Sequence, residues 1–441
     1  MRPSPRQATL FADPDADPAD DDPDAALHAE LRAFSGPAGE AGRPTHLTHT
    51  SFPVEGRTRR VPTYVNEFWT ARQRAASSLH EVSYRACFKP QLPRFFVERL
   101  TGPGEGVHDP FMGRGTTPLE AALLGRRPSG SDVNPLSRLL VAPRLDPPRV
   151  EEVAARLEAL DLAQATCDPA PQAVAAEDLQ AFFHPHTLRQ LLALRALLRA
   201  REAAGELDRV DAWIRMVALN RLTGHSPGFF SVYTLPPNQA VSAEAQRKIN
   251  RDREQTPPPR DVAALILKKT RALLSDVDDA AREALRRAGR GATLLSAPAD
   301  GTAALAAGSI ALVVTSPPFL DVVDYAGDNW LRCWFAGIDP AQVAITAASR
   351  LPDWQAAMTA ALREQRRLLR PGGHVAFEVG EVRGGKLRLE EAVLPCAVEA
   401  GLEPVLVLIN DQRFTKTANC WGVTNGSKGT NTNRVVLLRR P

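Results

Sequence analysis

The nine residues Asp109-Pro110-Phe111-Met112-Gly113-Arg114-Gly115-Thr116-Thr117 constrain the fold more than any other part of this 441-residue chain. A short strand over Gly106 to Asp109 runs into them, and a helix over Thr116 to Leu124 leaves them and stops at Gly125. A second strand near Pro128 to Val133 follows and ends in Asp132-Val133-Asn134-Pro135. Strand, glycine turn, helix and strand in this order form a right-handed βαβ unit, which commits the chain to a parallel sheet. The helix N-terminus presents backbone N–H groups to a carboxylate or phosphate. Gly113 and Gly115 permit close backbone approach and unusual φ angles. Asp132 is placed to accept hydrogen bonds from ribose hydroxyls, as the acidic residue of dinucleotide sites does. The tract is not a P-loop, since no GxxxxGK[ST] occurs, and it departs from GxGxxG because Pro118 lies three residues beyond Gly115.

The same alternation returns near the C-terminus. Thr293–Ser296 and Ile310–Val314 read as strands, Pro352–Leu369 as a helix closed by Arg370-Pro371-Gly372-Gly373, and His374–Val379 as a buried strand. Leu389–Ala400 reads as a helix, and Pro404–Ile409 and Arg434–Leu438 as the last two strands. From about Arg144 to Arg290, apolar residues recur at helical spacing in Val150–Leu160, Thr187–Leu198, Val210–Leu222 and one long stretch, Val262–Leu285. The expected organisation is a disordered acidic segment over 1–60, a first α/β part over 61–145, a mainly helical insertion over 146–290 and a second α/β part over 291–441. Disorder is expected N-terminally because Asp13 to Asp24 alternates acid, Ala and Pro with no apolar face to bury.

A second tract, Thr315-Ser316-Pro317-Pro318-Phe319, closes the apolar run Ile310 to Val314. It combines a short polar side chain, a rigid Pro-Pro and an aromatic ring. That set can hold an exocyclic amino group by hydrogen bonds while the ring packs on its base. Together the two tracts resemble the site-specific DNA amino methyltransferases, which move a methyl group from S-adenosylmethionine to cytosine N4 or adenine N6. The resemblance implies a Rossmann-like, mostly parallel seven-stranded sheet carrying the helical insertion. It implies cofactor contacts at Asp109, Pro110, Phe111, Gly113, Gly115, Thr116, Thr117, Asp132 and Asn134. Upstream, Ser83 to Pro90 resembles the family's segment over the methionine end of the cofactor, which adds Phe88, Lys89 and Pro90, and Asp300 is its acidic contact to the adenine amino group. Ser316, Pro317, Pro318 and Phe319 become the catalytic set: the Ser316 hydroxyl and Pro317 carbonyl accept the amino hydrogens, and Phe319 stacks on a flipped base. The family usually has Tyr at the aromatic position, and Phe319 keeps the stacking surface without the hydroxyl. Ser at 316, where adenine enzymes more often have Asp or Asn, points to cytosine N4. Adenine N6 on DNA stays open, as do an RNA amino methyltransferase and a non-catalytic DNA-binding protein.

The alternative cytosine C5 chemistry would use a Pro-Cys pair, and Pro395-Cys396 lies inside an amphipathic helix with no His partner nearby. The expected partner is double-stranded DNA. Residues 209–290 hold fifteen Lys/Arg against nine Asp/Glu, and Arg247, Lys248, Arg251 and Arg253 form one basic run suited to phosphates. The polar tract Thr415–Asn433 offers Lys416, Asn419, Asn425 and Lys428 as further DNA contacts. Five scattered cysteines without a CxxC argue against a zinc site or a disulfide framework, so no metal is expected. No apolar run of membrane-spanning length occurs, and the acidic, Pro-rich start lacks the pattern of a secretory signal, so a cytoplasmic protein is expected. The recognition sequence, the oligomeric state and any cognate restriction endonuclease are not written in these residues.

Overall fold

In the computed structural model, the residues described are 22–36, 42–70, 76–84, 87–164, 176–234, 240–318, 325–343, 348, 350–382, 387–411 and 432–441. Helix α1 (Ala25–Ala33) is followed by β1 (His46–Val54), β2 (Arg57–Asn66), α2 (Gln91–Leu100), β3 (Gly106–Asp109), α3 (Thr116–Leu123), β4 (Arg127–Asp132) and α4 (Leu136–Leu145). Seven helices come next: α5 (Val150–Leu160), α6 (Ala176–Gln180), α7 (Pro185–Ala204), α8 (Arg209–Arg221), α9 (Ala243–Asp252), α10 (Val262–Leu273) and α11 (Asp279–Arg290). Then follow β5 (Thr293–Ser296), β6 (Ile310–Thr315), α12 (Tyr325–Ala336), α13 (Leu351–Leu368), β7 (Leu369–Val379), β8 (Glu381–Val382), β9 (Leu387–Arg388), α14 (Leu389–Glu399), β10 (Glu403–Asp411) and β11 (Thr432–Arg439).

Nine strands make the main sheet, in the order β1-β2-β10-β11-β7-β6-β3-β4-β5. β7, β6, β3, β4 and β5 are parallel neighbours, and β11 is antiparallel to both β7 and β10. Those seven are the expected mostly parallel seven-stranded sheet. The other two correct the expectation, because β1 and β2 form a hairpin and β2 extends the sheet by pairing in parallel with β10. The segment over 1–60, expected to lack structure, thus holds α1 and most of that hairpin. The hairpin escapes sequence reading because β1 is edge-exposed and buries little beyond Phe52. Its turn uses Glu55 at φ 49° and Gly56 at φ 74°, a left-handed pair that Glu seldom starts.

The sheet is the core, and its side chains alternate between two faces. Val313, Val375, Phe377, Val407 and Val436 pack with Met358, Leu362, Val393 and Leu394 of α13 and α14. Leu312, Val314, Ala376, Leu408 and Val435 pack on the other face with Leu31 of α1 and Phe95 and Phe96 of α2. A run buried on both faces is what Ile-Ala-Leu-Val-Val of β6 encodes. The helices between β4 and β5 form a further apolar cluster around Trp213 and Phe183. Five of them start on side-chain caps: His184 for α7, Asp208 for α8, Ser242 for α9, Asp261 for α10 and Asp278 for α11. The cap at Asp278, worth about 1 kcal/mol, explains why the apparent stretch Val262–Leu285 is two helices. β7 also begins earlier than the Pro-Gly-Gly suggests. Leu369 pairs with Ile310, and a register shift absorbs Gly372 at φ 72°.

Candidate active site

β3 and β6 are adjacent, and the chain leaves them toward opposite edges of the sheet. That is a topological switch point, where the ends of parallel strands leave a crevice for a ligand. One hydrogen bond joins the two strand ends: Thr315 Oγ1 donates to Asp109 Oδ1 at 2.6 Å. The crevice is lined by Phe88, Asp109, Pro110, Phe111, Gly113, Thr116, Asp132, Asn134, Ser316 and Pro318. Ten of the residues expected at the cofactor or the reaction, from tracts far apart in sequence, thus share one cleft. Asp300 lines it too, with Met112, Trp354 and Met358 as apolar wall.

The turn after β3 is laced to β4. Asp132 Oδ2 accepts from Gly113 N at 2.9 Å, Asp132 Oδ1 from Asn134 N at 2.8 Å, and Met112 N donates to Ser131 O at 3.0 Å. Burial raises the Asp132 carboxyl, and the N–H groups of Asn134 and Gly113 draw it back toward the ionised form. Gly113 adopts φ +47° and borders the Tyr84 ring. Gly115 also needs its left-handed backbone, but a side chain there would strike Val141 at 2.2 Å, so its absent Cβ serves packing on α4 and not the cleft. The Thr117 hydroxyl donates to Val314 O at 3.0 Å and also interacts with the Asp109 carboxyl, and Thr117 itself does not line the cleft. Lys89, Pro90 and Pro317 do not line the cleft, and Pro90 stands at the N-cap of α2. Phe319 lies outside the described residues.

Three features escaped sequence reading. Arg114, the unassigned residue between the two glycines, is buried and spans to the segment before α2. Its Nη1 donates to Val82 O at 3.0 Å and His80 O at 3.3 Å, and its Nη2 to Phe88 O at 3.3 Å. Arg144 braces the same segment from α4, bonding Leu79 O and the Arg114 carbonyl, and burial pushes its guanidinium down to about 9. Neither residue has a sequence signature, because each acts through carbonyl oxygens. The second feature is Trp354, whose Nε1 donates to Pro318 O at 3.0 Å and pins the Pro-Pro loop. The third is Glu378, buried near the end of β7 and bonded to the Ser316 hydroxyl and to Asn433 Nδ2, the latter at 3.1 Å.

Pro395 and Cys396 lie within α14 and do not line this cleft. Cys396 Sγ bonds Ala392 O at 3.2 Å and its thiol is pushed up by burial, the opposite of an activated nucleophile. Arg247 is ion-paired with Asp178 at 2.7 Å, whereas Lys248, Arg251 and Arg253 are at least partly exposed, with Arg253 over the Tyr233 ring. Lys416, Asn419, Asn425 and Lys428 lie outside the described residues. Among the described residues no three His, Cys, Asp or Glu are grouped to hold a metal, and no helix is long and apolar enough to cross a membrane.

Residues 45–137 match the family model of the N6/N4 methyltransferases, described as DNA methylase. The match takes in the hairpin, the Arg114-braced segment, the Asp109 turn, Asp132 and Asn134, and ends before Ser316. The chain is 36% identical over 62 residues to the type II methyltransferase M.MjaII of Methanocaldococcus jannaschii, a stretch that covers 14% of this chain and 12% of that relative. A protein of Thermus thermophilus described as a putative DNA modification methylase, solved with S-adenosyl-L-methionine, is 21% identical over 32% of this chain and 53% of its own, with a TM-score of 0.22. The rRNA methyltransferase AviRa of Streptomyces viridochromogenes is 15% identical over 83% of this chain and 90% of its own, with a TM-score of 0.30. The family match is confined to residues 45–137 of this chain.

Proposed function

We propose that the protein is a site-specific DNA methyltransferase that uses S-adenosylmethionine to methylate the N4 amino group of cytosine in duplex DNA. The observation that carries this reading is the meeting of Ser316 with the Asp109–Gly113 turn and Asp132 in one cleft. The cleft suits the cofactor. Asp132 offers a carboxylate to ribose hydroxyls, Phe88, Phe111 and Met112 offer apolar surface, and Asp300 offers an acceptor to an adenine amino group. The cofactor supplies a methyl group already activated on a sulfonium.

The protein's part is alignment. The amino nitrogen of cytosine is a weak nucleophile because its lone pair is delocalised into the ring. Accepting an amino hydrogen on Ser316 Oγ, which lines the cleft, favours a more tetrahedral nitrogen with its lone pair directed at the methyl group. The adjoining Pro317 carbonyl is the proposed second acceptor, although Pro317 does not itself line the cleft. Pro317-Pro318 and the Trp354 bond keep these acceptors fixed, and fixed geometry is worth up to about 7–11 kcal/mol in favourable cases. An ionised Glu378 accepts the Ser316 O–H, which leaves the Oγ lone pairs facing the substrate. Phe319 follows directly on this loop as the stacking surface for the flipped base.

Expression in cells lacking native DNA methylation, followed by digestion of the DNA and mass analysis of the nucleosides, tests the reading. The expected product is N4-methylcytosine. N6-methyladenine in its place would overturn the choice of base and keep the chemistry, whereas an unmodified genome would refute DNA as substrate. The cofactor site has its own test. Asp132→Ala should weaken S-adenosylmethionine binding in calorimetry by about ten- to a hundredfold, the loss of hydrogen bonds to a charged group. Equal binding by the two proteins would remove Asp132 from the site.

A further inference from the structure

Beside the cleft, two cations share a single carboxylate. Lys269 of α10 reaches Glu81 at 3.3 Å, and its side chain is 11% exposed. Arg221, the last residue of α8, is only partly exposed. It bonds its neighbour Asn220, with Nη2 to Asn220 Oδ1 at 2.8 Å and Nε to Asn220 O at 3.0 Å. Its guanidinium stacks on Phe229 at 4.0 Å. Asn220 Nδ2 in turn bonds Ser83 O at 3.4 Å, and Arg332 of α12 bonds the same carbonyl at 3.3 Å. Lys269, Arg221 and Arg332 thus gather on Glu81 to Ser83, immediately before Tyr84 of the cleft lining. Arg332 has Asp328 of its own helix as a counter-charge. Among the described residues, Arg221 and Lys269 have Glu81 between them as counter-charge, which leaves one positive charge over in a partly desolvated place.

Holding it there is costly. Burial pushes the Arg221 guanidinium down to about 10, Glu81 works against that shift, and Arg332 adds to it. Burial also lowers Lys269, and Arg221 lowers it further. A rigid guanidinium and an ammonium with a surplus charge match an anion with several acceptor oxygens.

We propose that Arg221 and Lys269 form a binding site for a backbone phosphate of the DNA substrate, next to the nucleotide that enters the cleft. This rests on the reading of the protein as a DNA methyltransferase. The site is built from α8, α10 and the segment before Tyr84, and none of these carries the basic run of α9.

The test is binding of a fluorescent duplex by anisotropy over a range of salt, with S-adenosylmethionine affinity and melting temperature measured on the same samples. Arg221→Gln and Lys269→Gln should each weaken DNA binding about fivefold and lower the salt slope by about one. Glu81→Gln should act in the opposite sense and tighten DNA binding about threefold, the scale of one exposed charge. A structural brace would show all three variants losing cofactor affinity and melting temperature together, with an unchanged salt slope, and that result would overturn the site. A wild-type protein without salt-dependent duplex binding would instead overturn the DNA reading on which the site rests.

Discussion

Ser316→Ala is expected to lower the rate of methyl transfer by about a hundred- to a thousandfold, the usual cost of losing one preorganised hydrogen bond at the reacting atom. S-adenosylmethionine affinity should be unchanged, because Asp132, the proposed ribose contact, ends β4 and not the strand that delivers Ser316. The variant loses an acceptor for the amino hydrogens, so the lone pair of the target nitrogen stays in the ring. Glu378 adds a pH signature. Burial holds its carboxyl above the ordinary range, and the bonds from Ser316 and Asn433 draw it partly back. The ionised form is the one that accepts the Ser316 O–H, so wild-type activity should fall as pH drops through that raised pKa. Glu378→Gln should lower the rate and remove this acid limb, and residual activity of Ser316→Ala should lack it as well. Single-turnover rates on saturating DNA across pH measure both. A Ser316→Ala rate equal to wild type would displace Ser316 from the reaction.

Much of this arrangement is legible in the sequence, and the reason is physical. β6 is buried on both faces, so its sequence is a continuous apolar run that ends in Thr315-Ser316, while the short β3, Gly106-Val107-His108-Asp109, is marked by the glycine turn that follows it. A glycine turn before a helix N-terminus fixes where a nucleoside can sit, whatever surrounds it. What stayed hidden works through groups every residue shares. Arg114 and Arg144 bond mainly backbone carbonyls, so nothing in their neighbours' side chains announces the contact. Glu378 reads as one polar residue in an apolar strand, and only the pairing of β7 beside β6 brings it to Ser316. The β1–β2 hairpin was missed for a different reason: its exposed edge carries Thr, His and Arg, and its burial depends on β10, some 340 residues away. Thr117 and Gly115 also belong to the turn motif, and there the Thr117 hydroxyl bonds the Val314 carbonyl while Gly115 makes room for Val141.

The same strand that delivers Asp109 to the cleft should carry two opposed pH dependences of stability. His108 is buried with Nδ1 on Ser129 Oγ at 3.0 Å, and its Nε2 has no hydrogen-bond partner among the described residues. Burial pushes it from 6.5 down to about 3. Between those values the unfolded chain holds a proton that the fold does not, so stability rises with pH by roughly 1.4 kcal/mol per unit. Asp109 behaves oppositely. Burial raises it from 3.8 to about 7, against the pull of the Thr315 hydroxyl and the Phe111 N–H. Here the fold holds a proton that the unfolded chain has lost, so stability falls with pH by roughly the same 1.4 kcal/mol per unit. From 3.8 to 6.5, the window common to both, the two contributions cancel. Asp109→Asn keeps an acceptor for Thr315 and removes the titration, so it should unmask the histidine: relative to wild type, the variant gains about 3–4 kcal/mol of stability across that window as pH rises. His108→Asn should unmask the aspartate and lose a similar amount over the same range. Urea unfolding of the three proteins at about pH 4 and about pH 6.5 reads the two differences directly. Parallel pH profiles for Asp109→Asn and wild type would mean that Asp109 is ionised in the fold throughout. Its carboxylate would then face the cleft charged, and the Thr315 bond between the strands would be a charge-assisted one.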